Sequence, residues 1–166
     1  MIVRHADAGD AGDFSKSGQP DSARPLSSKG RQQIADAAKG LVKLLPSTNM
    51  IVSSPYVRAV QTAAELKDVY NPIAEEITST LEPGARPETF EKWLQQHSRH
   101  GIVIAVGHEP NLGMLATWFV AGVLDARMDM KKSGACLIEF EGAARKGEGF
   151  LRWLMGPDAL KALGQR

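Results

Sequence analysis

The 166-residue chain has a single cysteine, only two tyrosines and five phenylalanines, and no excess of either charge. Each scarcity removes a class of protein. With Cys136 alone, neither an intrachain disulfide nor a cysteine-rich metal site can form. Twenty Lys and Arg stand against nineteen Asp and Glu, a formal net charge of +1, which argues against a nucleic-acid binder or a polybasic membrane-surface protein. No apolar run is long enough to span a bilayer; the longest, Leu112 to Leu124, contains Gly113, Trp118 and Gly122. No signal-peptide pattern opens the chain. The expectation is a cytoplasmic protein with no nucleic-acid or membrane partner. Hydrophobic residues at 43% and charged residues at 23% predict one domain, residues 1–166, with a sizeable core.

What is present is an alternation of short apolar runs and helical periodicities. Met1 to Val3 is β-prone. Residues 6–26 are rich in Asp, Gly, Ser and Pro without a period, which predicts a long loop, a feature that in compact domains is usually functional or disordered. From Ser27, a candidate cap with Ser28, the positions Ile34, Ala38, Leu41 and Leu45 mark one face of a helix. MIVS is a second strand, and SPYVRAVQTAAELKDVY a second helix with Ala59, Ala63, Leu66 and Tyr70 in register. EEITST reads as a weak strand, and PETFEKWLQQH as a helix carrying Phe90, Trp93, Leu94 and His97 on one stripe. GIVIAVG is apolar on both faces, as a central parallel strand requires. PNLGMLATWFVAGVL is a helix with Pro110 in its first turn, GACLIEFEG and GFLRWLM a terminal hairpin, and PDALKAL a last short helix. Strands alternating with helices predict an α/β protein: a mostly parallel sheet covered on both faces, with the hairpin adding antiparallel strands at one edge.

Ligands of open α/β sheets bind beyond the carboxyl ends of the strands. Arg4 and His5 follow the first strand, Arg58 opens the helix after the second, and His108 follows GIVIAVG. Arg24 precedes the first long helix and can reach the same rim. Guanidiniums bind phosphoryl oxygens through paired hydrogen bonds and stay charged. A neutral imidazole is a competent nucleophile near neutral pH. Two histidines among arginines, without the lysine of a phosphate loop, point to phosphoryl transfer through a phosphohistidine.

The segments VRHADA, RPLSSKG, SSPYVRAVQTA and VGHEPNL, in that order, resemble the histidine phosphatase superfamily, and among its members the small SixA-type phosphohistidine phosphatases. The resemblance covers nearly the whole chain. It implies a phosphoglycerate mutase-like three-layer α/β/α sandwich with its site at the strand carboxyl ends. His5 would be the nucleophile, Arg4 and Arg58 would bind the phosphoryl group, His108 would be the second histidine, and Arg24 a further phosphate ligand. No metal or cofactor is implied. The first strand of the family begins a few residues further upstream than it does here. Some members carry a catalytic carboxylate after the third strand, and Glu82 in TLEPGARPE is the candidate here. The chain looks too short for the insertions that cap the site in larger members. An open site suits a phosphate presented by another protein. The expected substrate is therefore a phosphohistidine-bearing protein, such as a phosphotransfer domain, acted on by a monomer.

Three rivals stand beside this reading. A metal hydrolase would use His5, Asp7, His108 and Glu109, but would place Arg4 and Arg58 against the cation. A non-catalytic phosphate-binding module would need the arginines and neither histidine. A mutase or small-molecule phosphate monoester phosphatase would stay within the same superfamily. His97 and His100 read as surface residues at a polar helix end, and Cys136 as a buried small hydrophobe.

Overall fold

Strands and helices alternate in the computed structural model, which describes residues 1–72, 74–97, 99 and 101–166. Six strands form one sheet: β1 (Ile2–Arg4), β2 (Met50–Ser53), β3 (Ala74–Ile77), β4 (Val103–Gly107), β5 (Ala135–Glu139) and β6 (Phe150–Met155), in the spatial order β3-β2-β4-β1-β5-β6. The first four run parallel, and β5 and β6 add the antiparallel edge that the hairpin pattern predicts. β4 lies between β2 and β1, and its Ile104, Ala105 and Val106 are buried, the reason this segment is apolar on both faces.

Helices cover both faces, because successive strand residues point to opposite sides. On one face Val3, Ile51, Ile104 and Val106 pack with Ile34 and Leu41 of α2 (Ser28–Leu44), Leu66 of α3 (Val57–Tyr70) and Leu160 of α6 (Pro157–Gly164). On the other, Ile2, Met50, Val52 and Ala105 pack with Phe90 and Trp93 of α4 (Pro87–Gln96) and Leu115 and Phe119 of α5 (Asn111–Ala121). The architecture is the mixed, mostly parallel, helix-flanked sheet of the phosphoglycerate mutase-like fold. No helix among the described residues is long and apolar enough to cross a membrane.

The structure departs from the sequence reading in three places. Residues 6–26 are not featureless: α1 (Ala11–Ser15) is capped by Asp10, which accepts from the Asp13 N–H at 2.9 Å, and Asp21–Ala23 form a 3₁₀ turn. A polar cap makes α1, and the turn follows Pro20 without a side-chain cap; apolar periodicity reports neither. Pro110 is the N-cap of α5 rather than a first-turn residue, and the helix stops at Ala121 because Gly122 takes a left-handed conformation and donates to the Trp118 carbonyl. His97 is half-buried. Its ring stacks on Trp93 with centroids 3.9 Å apart, and its Nε2 lies 3.1 Å from a Glu76 carboxylate oxygen. His100 lies outside the described residues.

Candidate active site

β1 ends at Arg4, and the next residue leaves the sheet with its N–H still held by the Gly107 carbonyl at 3.0 Å. That bond fixes His5 beside the end of β4, where His108 follows. The two rings lie with centroids 4.9 Å apart, tilted by 55°. His5 Nδ1 lies 2.7 Å from the carbonyl oxygen of Ala6. A carbonyl only accepts, so Nδ1 carries the proton and Nε2 keeps its lone pair. Arg58 Nε donates to that Nε2 at 3.3 Å.

The helix motif SPYVRAVQTA is a set of clamps. Arg58 reaches the site from the first turn of α3. Gln61 Oε1 accepts the Leu26 N–H at 2.8 Å, tying down the RPL segment. Thr62 Oγ1 accepts the Ala6 N–H at 3.0 Å and donates to the Arg58 carbonyl at 2.7 Å, so the turn after His5 is bonded to the helix that carries Arg58. The RPLSSKG motif is a packing device as well. Ser27 caps α2 by accepting the Gly30 N–H at 3.0 Å, and its own N–H donates to the Asp7 carbonyl at 2.9 Å. Gly30 has no side chain because a Cβ there would overlap that carbonyl.

His5, His108 and Arg58 are 7%, 2% and 4% exposed, so all three are largely out of water. Burial lowers the pKa of His5 to about 4, helped by the charges of Arg58, Arg4 and Lys132 against the opposing Ala6 bond. Burial likewise lowers His108 to about 3, with His5 and Arg58 adding to it. Both imidazoles are neutral near pH 7. His108 Nε2 pairs with the buried Ser54 hydroxyl at 2.9 Å, and its Nδ1 is buried without a hydrogen-bond partner among the described residues. Arg4 donates through Nη1 to the Met130 carbonyl at 2.7 Å, while its buried Nε also lacks a partner there. Two unsatisfied buried nitrogens are costly in a protein interior.

Arg24 joins the group through a residue that sequence reasoning missed. Asp21, at the start of the 3₁₀ turn, pairs with Arg24 Nε at 2.8 Å and Arg58 Nη2 at 3.0 Å. The only signal for it is its place three residues before Arg24, which is weak in a loop full of aspartates. Glu82 ends the 3₁₀ turn Ser79–Leu81 beyond β3 and is half-buried. The loop after it is held by Asn111, which accepts the Gly84 N–H at 2.9 Å and donates to the Ala85 carbonyl at 2.6 Å. The carboxylates of the metal-hydrolase rival are engaged elsewhere: Asp7 with Lys132 and Ser27, Glu109 with the N–H groups of Gly113 and Met130.

Residues 1–82 match the model of the histidine phosphatase superfamily, branch 1. The SixA phosphohistidine phosphatase of Escherichia coli is 27% identical over 164 residues, which cover 97% of this chain and 95% of that protein. The chain belongs to the histidine phosphatase superfamily. An uncharacterized protein of Picosynechococcus is 30% identical over 87% of this chain and 86% of its own length. The solved structure of the protein histidine phosphatase SixA complexed with tungstate superposes with a TM-score of 0.80 at 27% identity, covering 96% of this chain and 97% of that one. Members of this superfamily are metal-independent phosphatases.

Proposed function

We propose that this chain is a phosphohistidine phosphatase, with His5 as nucleophile and Arg4, Arg24, Arg58 and His108 as the groups that hold the phosphoryl oxygens. The observation that carries the reading is the tautomer of His5. With Nδ1–H bonded to the Ala6 carbonyl, the Nε2 lone pair is set among Arg58 and His108 at a pH where the ring is neutral. Arg4 Nε is a donor, and His108 Nδ1 is a donor in the tautomer whose Nε2 accepts from the Ser54 hydroxyl, so both can bond a phosphoryl oxygen. The likeness to a protein histidine phosphatase SixA complexed with tungstate, a tetrahedral oxyanion, supports a chain that binds such an anion.

In this mechanism the Arg58 Nε–H hydrogen bond passes from His5 Nε2 to a phosphoryl oxygen, and the freed Nε2 lone pair attacks phosphorus in line. The P–N bond to the substrate imidazole breaks, its electron pair stays on the departing ring, and water supplies the proton that leaves that ring neutral. A water molecule then attacks the phosphohistidine on His5. Orthophosphate departs, and Nε2 recovers its lone pair. Charge building on the equatorial oxygens meets fixed guanidiniums in a site poor in water, where such donors act strongly. The physiological substrate is a histidine-phosphorylated protein, and residues 1–166 act as one catalytic domain and as a monomer.

The test is rapid quench of the enzyme with ³²P-labelled phosphohistidine protein, phosphoserine peptide and small phosphate esters. The expected result is acid-labile, base-stable label on the wild type, none on His5→Ala, and fastest turnover on phosphohistidine. Label surviving in His5→Ala refutes the nucleophile. Faster turnover on an ester moves the substrate assignment to the small-molecule phosphatases of the same superfamily.

A further inference from the structure

We propose that Asp21 is an internal anion that occupies the phosphoryl seat of the free protein and must be displaced before substrate binds. This rests on the phosphatase reading above. One Asp21 carboxylate oxygen accepts from Arg24 Nε at 2.8 Å and the other from Arg58 Nη2 at 3.0 Å, while the Asp21 backbone carbonyl accepts from Arg58 Nη1 at 2.9 Å. Two guanidiniums converging on one carboxylate is the arrangement that a phosphoryl group would itself require.

The carboxylate also offsets a repulsion between the two arginines. Arg24 and Arg58 repel each other when nothing anionic lies between them, and the charge of Arg24 disfavours the charged form of Arg58. The Asp21 carboxylate relieves that repulsion and keeps both side chains in place. Its position is also outermost: its side chain is 50% exposed, while that of Arg58 beneath it is 5% exposed. An incoming phosphoryl group therefore meets Asp21 first and finds Arg58 Nη1 and Nη2 and Arg24 Nε already taken by it.

Binding is then an exchange. A carboxylate carries one charge and two oxygens, whereas a phosphoryl dianion carries two charges and three free oxygens, so the phosphoryl group can win. The cost of displacing Asp21 falls on every anion. It leaves weakly held ones below the level at which they occupy the site. Although burial pulls the Asp21 carboxyl upward, Arg24 and Arg58 outweigh it and hold the group ionised. A carboxylate held in this way is a competitor for the arginines and a poor proton donor.

Sulfate, an unreactive dianion of phosphate's shape, is the probe. Sulfate binding to wild type, Asp21→Asn, Asp21→Ala and Arg58→Ala is measured by isothermal titration calorimetry, beside turnover on a phosphate ester. Both Asp21 variants should bind sulfate more tightly, on the order of tenfold, the sum of two partly exposed ion pairs removed. A wild-type crystal soaked in sulfate should show the ion on Arg58 with the Asp21 carboxylate turned away. Unchanged or weaker sulfate binding in the variants overturns the inference, as does a soak in which Asp21 keeps both arginines beside the bound ion. Lost ester turnover with unchanged sulfate affinity also overturns it, since that is the signature of a proton donor. If sulfate binding is absent or insensitive to Arg58→Ala in every form, the phosphate site itself fails, and the inference fails with it.

Discussion

At the scale of single residues, the site is a set of side chains each directed by one short hydrogen bond. His5 is directed by the Ala6 carbonyl and Arg4 by the Met130 carbonyl, whereas His108 is held by the Ser54 hydroxyl. Arg58 has the most demanding role in the proposed mechanism, because its guanidinium meets His5, Asp21 and the proposed phosphoryl group from one buried position. Arg58→Ala should lower turnover by about 10²–10³, the range for one lost transition-state donor. Arg58→Lys should recover little of that, because an ammonium cannot make two parallel contacts. Steady-state turnover on a phosphohistidine protein checks both, and a near-normal lysine variant would reduce Arg58 to diffuse charge. Glu82 separates substrate classes. An alkoxide leaving group benefits from a proton donor by about 10²–10⁴-fold, whereas an imidazole departs as a neutral ring after protonation by water. Glu82→Gln should therefore leave phosphohistidine turnover near wild type. A large loss on that substrate would mean that the site needs a general acid.

At the scale of elements, the sheet brings the two histidines together and α3 locks the loops around them. β1 and β4 are parallel neighbours, so their carboxyl ends lie side by side and carry His5 and His108 to one place. The N-terminus of α2 presses on the backbone of Asp7, two residues beyond His5, and that contact has no room for a side chain at Gly30. Gly30→Ala should destabilise the protein by about 1–3 kcal/mol through overpacking. It should also impair turnover beyond the loss of folded protein, because the displaced neighbour is the loop that orients His5. Chemical denaturation checks the first effect, and turnover normalised to folded enzyme checks the second. A fully stable and active alanine variant would show that α2 can slide without cost.

At the scale of the whole molecule, the buried imidazoles couple the site to stability. His5 and His108 have native pKa values of about 4 and about 3, below the value of about 6.5 expected once they unfold. The unfolded chain binds more protons than the native one between those values, so stability is fully present above about pH 6.5 and falls as pH drops toward 4. The slope is at most about 1.4 kcal/mol per pH unit for each histidine. The carboxylates of Asp7 and Asp21, held below their ordinary range by hydrogen bonds and cations, add loss in the same direction at lower pH. Urea unfolding from pH 7.5 to 4.5 should show this decline. His5→Ala and His108→Ala together should flatten it. An unchanged slope in the double variant would mean that these rings titrate as they do in the unfolded chain.

Much of this could be read from the residues alone. Apolar periodicity is local, so the sheet, its long helices and the antiparallel hairpin were legible, and the strand-end rule set Arg4, His5, Arg58 and His108 on one rim. Those properties depend on neighbours in the chain. Tertiary structure decided what depends on partners far apart in sequence: the Ala6 turn bonded to Thr62, the Leu26 segment bonded to Gln61, and His108 bonded to Ser54. It also decided that Asp21 lies between two arginines, one of them 37 residues away. A loop aspartate becomes a site residue only when folding brings unpaired positive charge to it, and no pattern within residues 6–26 records where that charge will be.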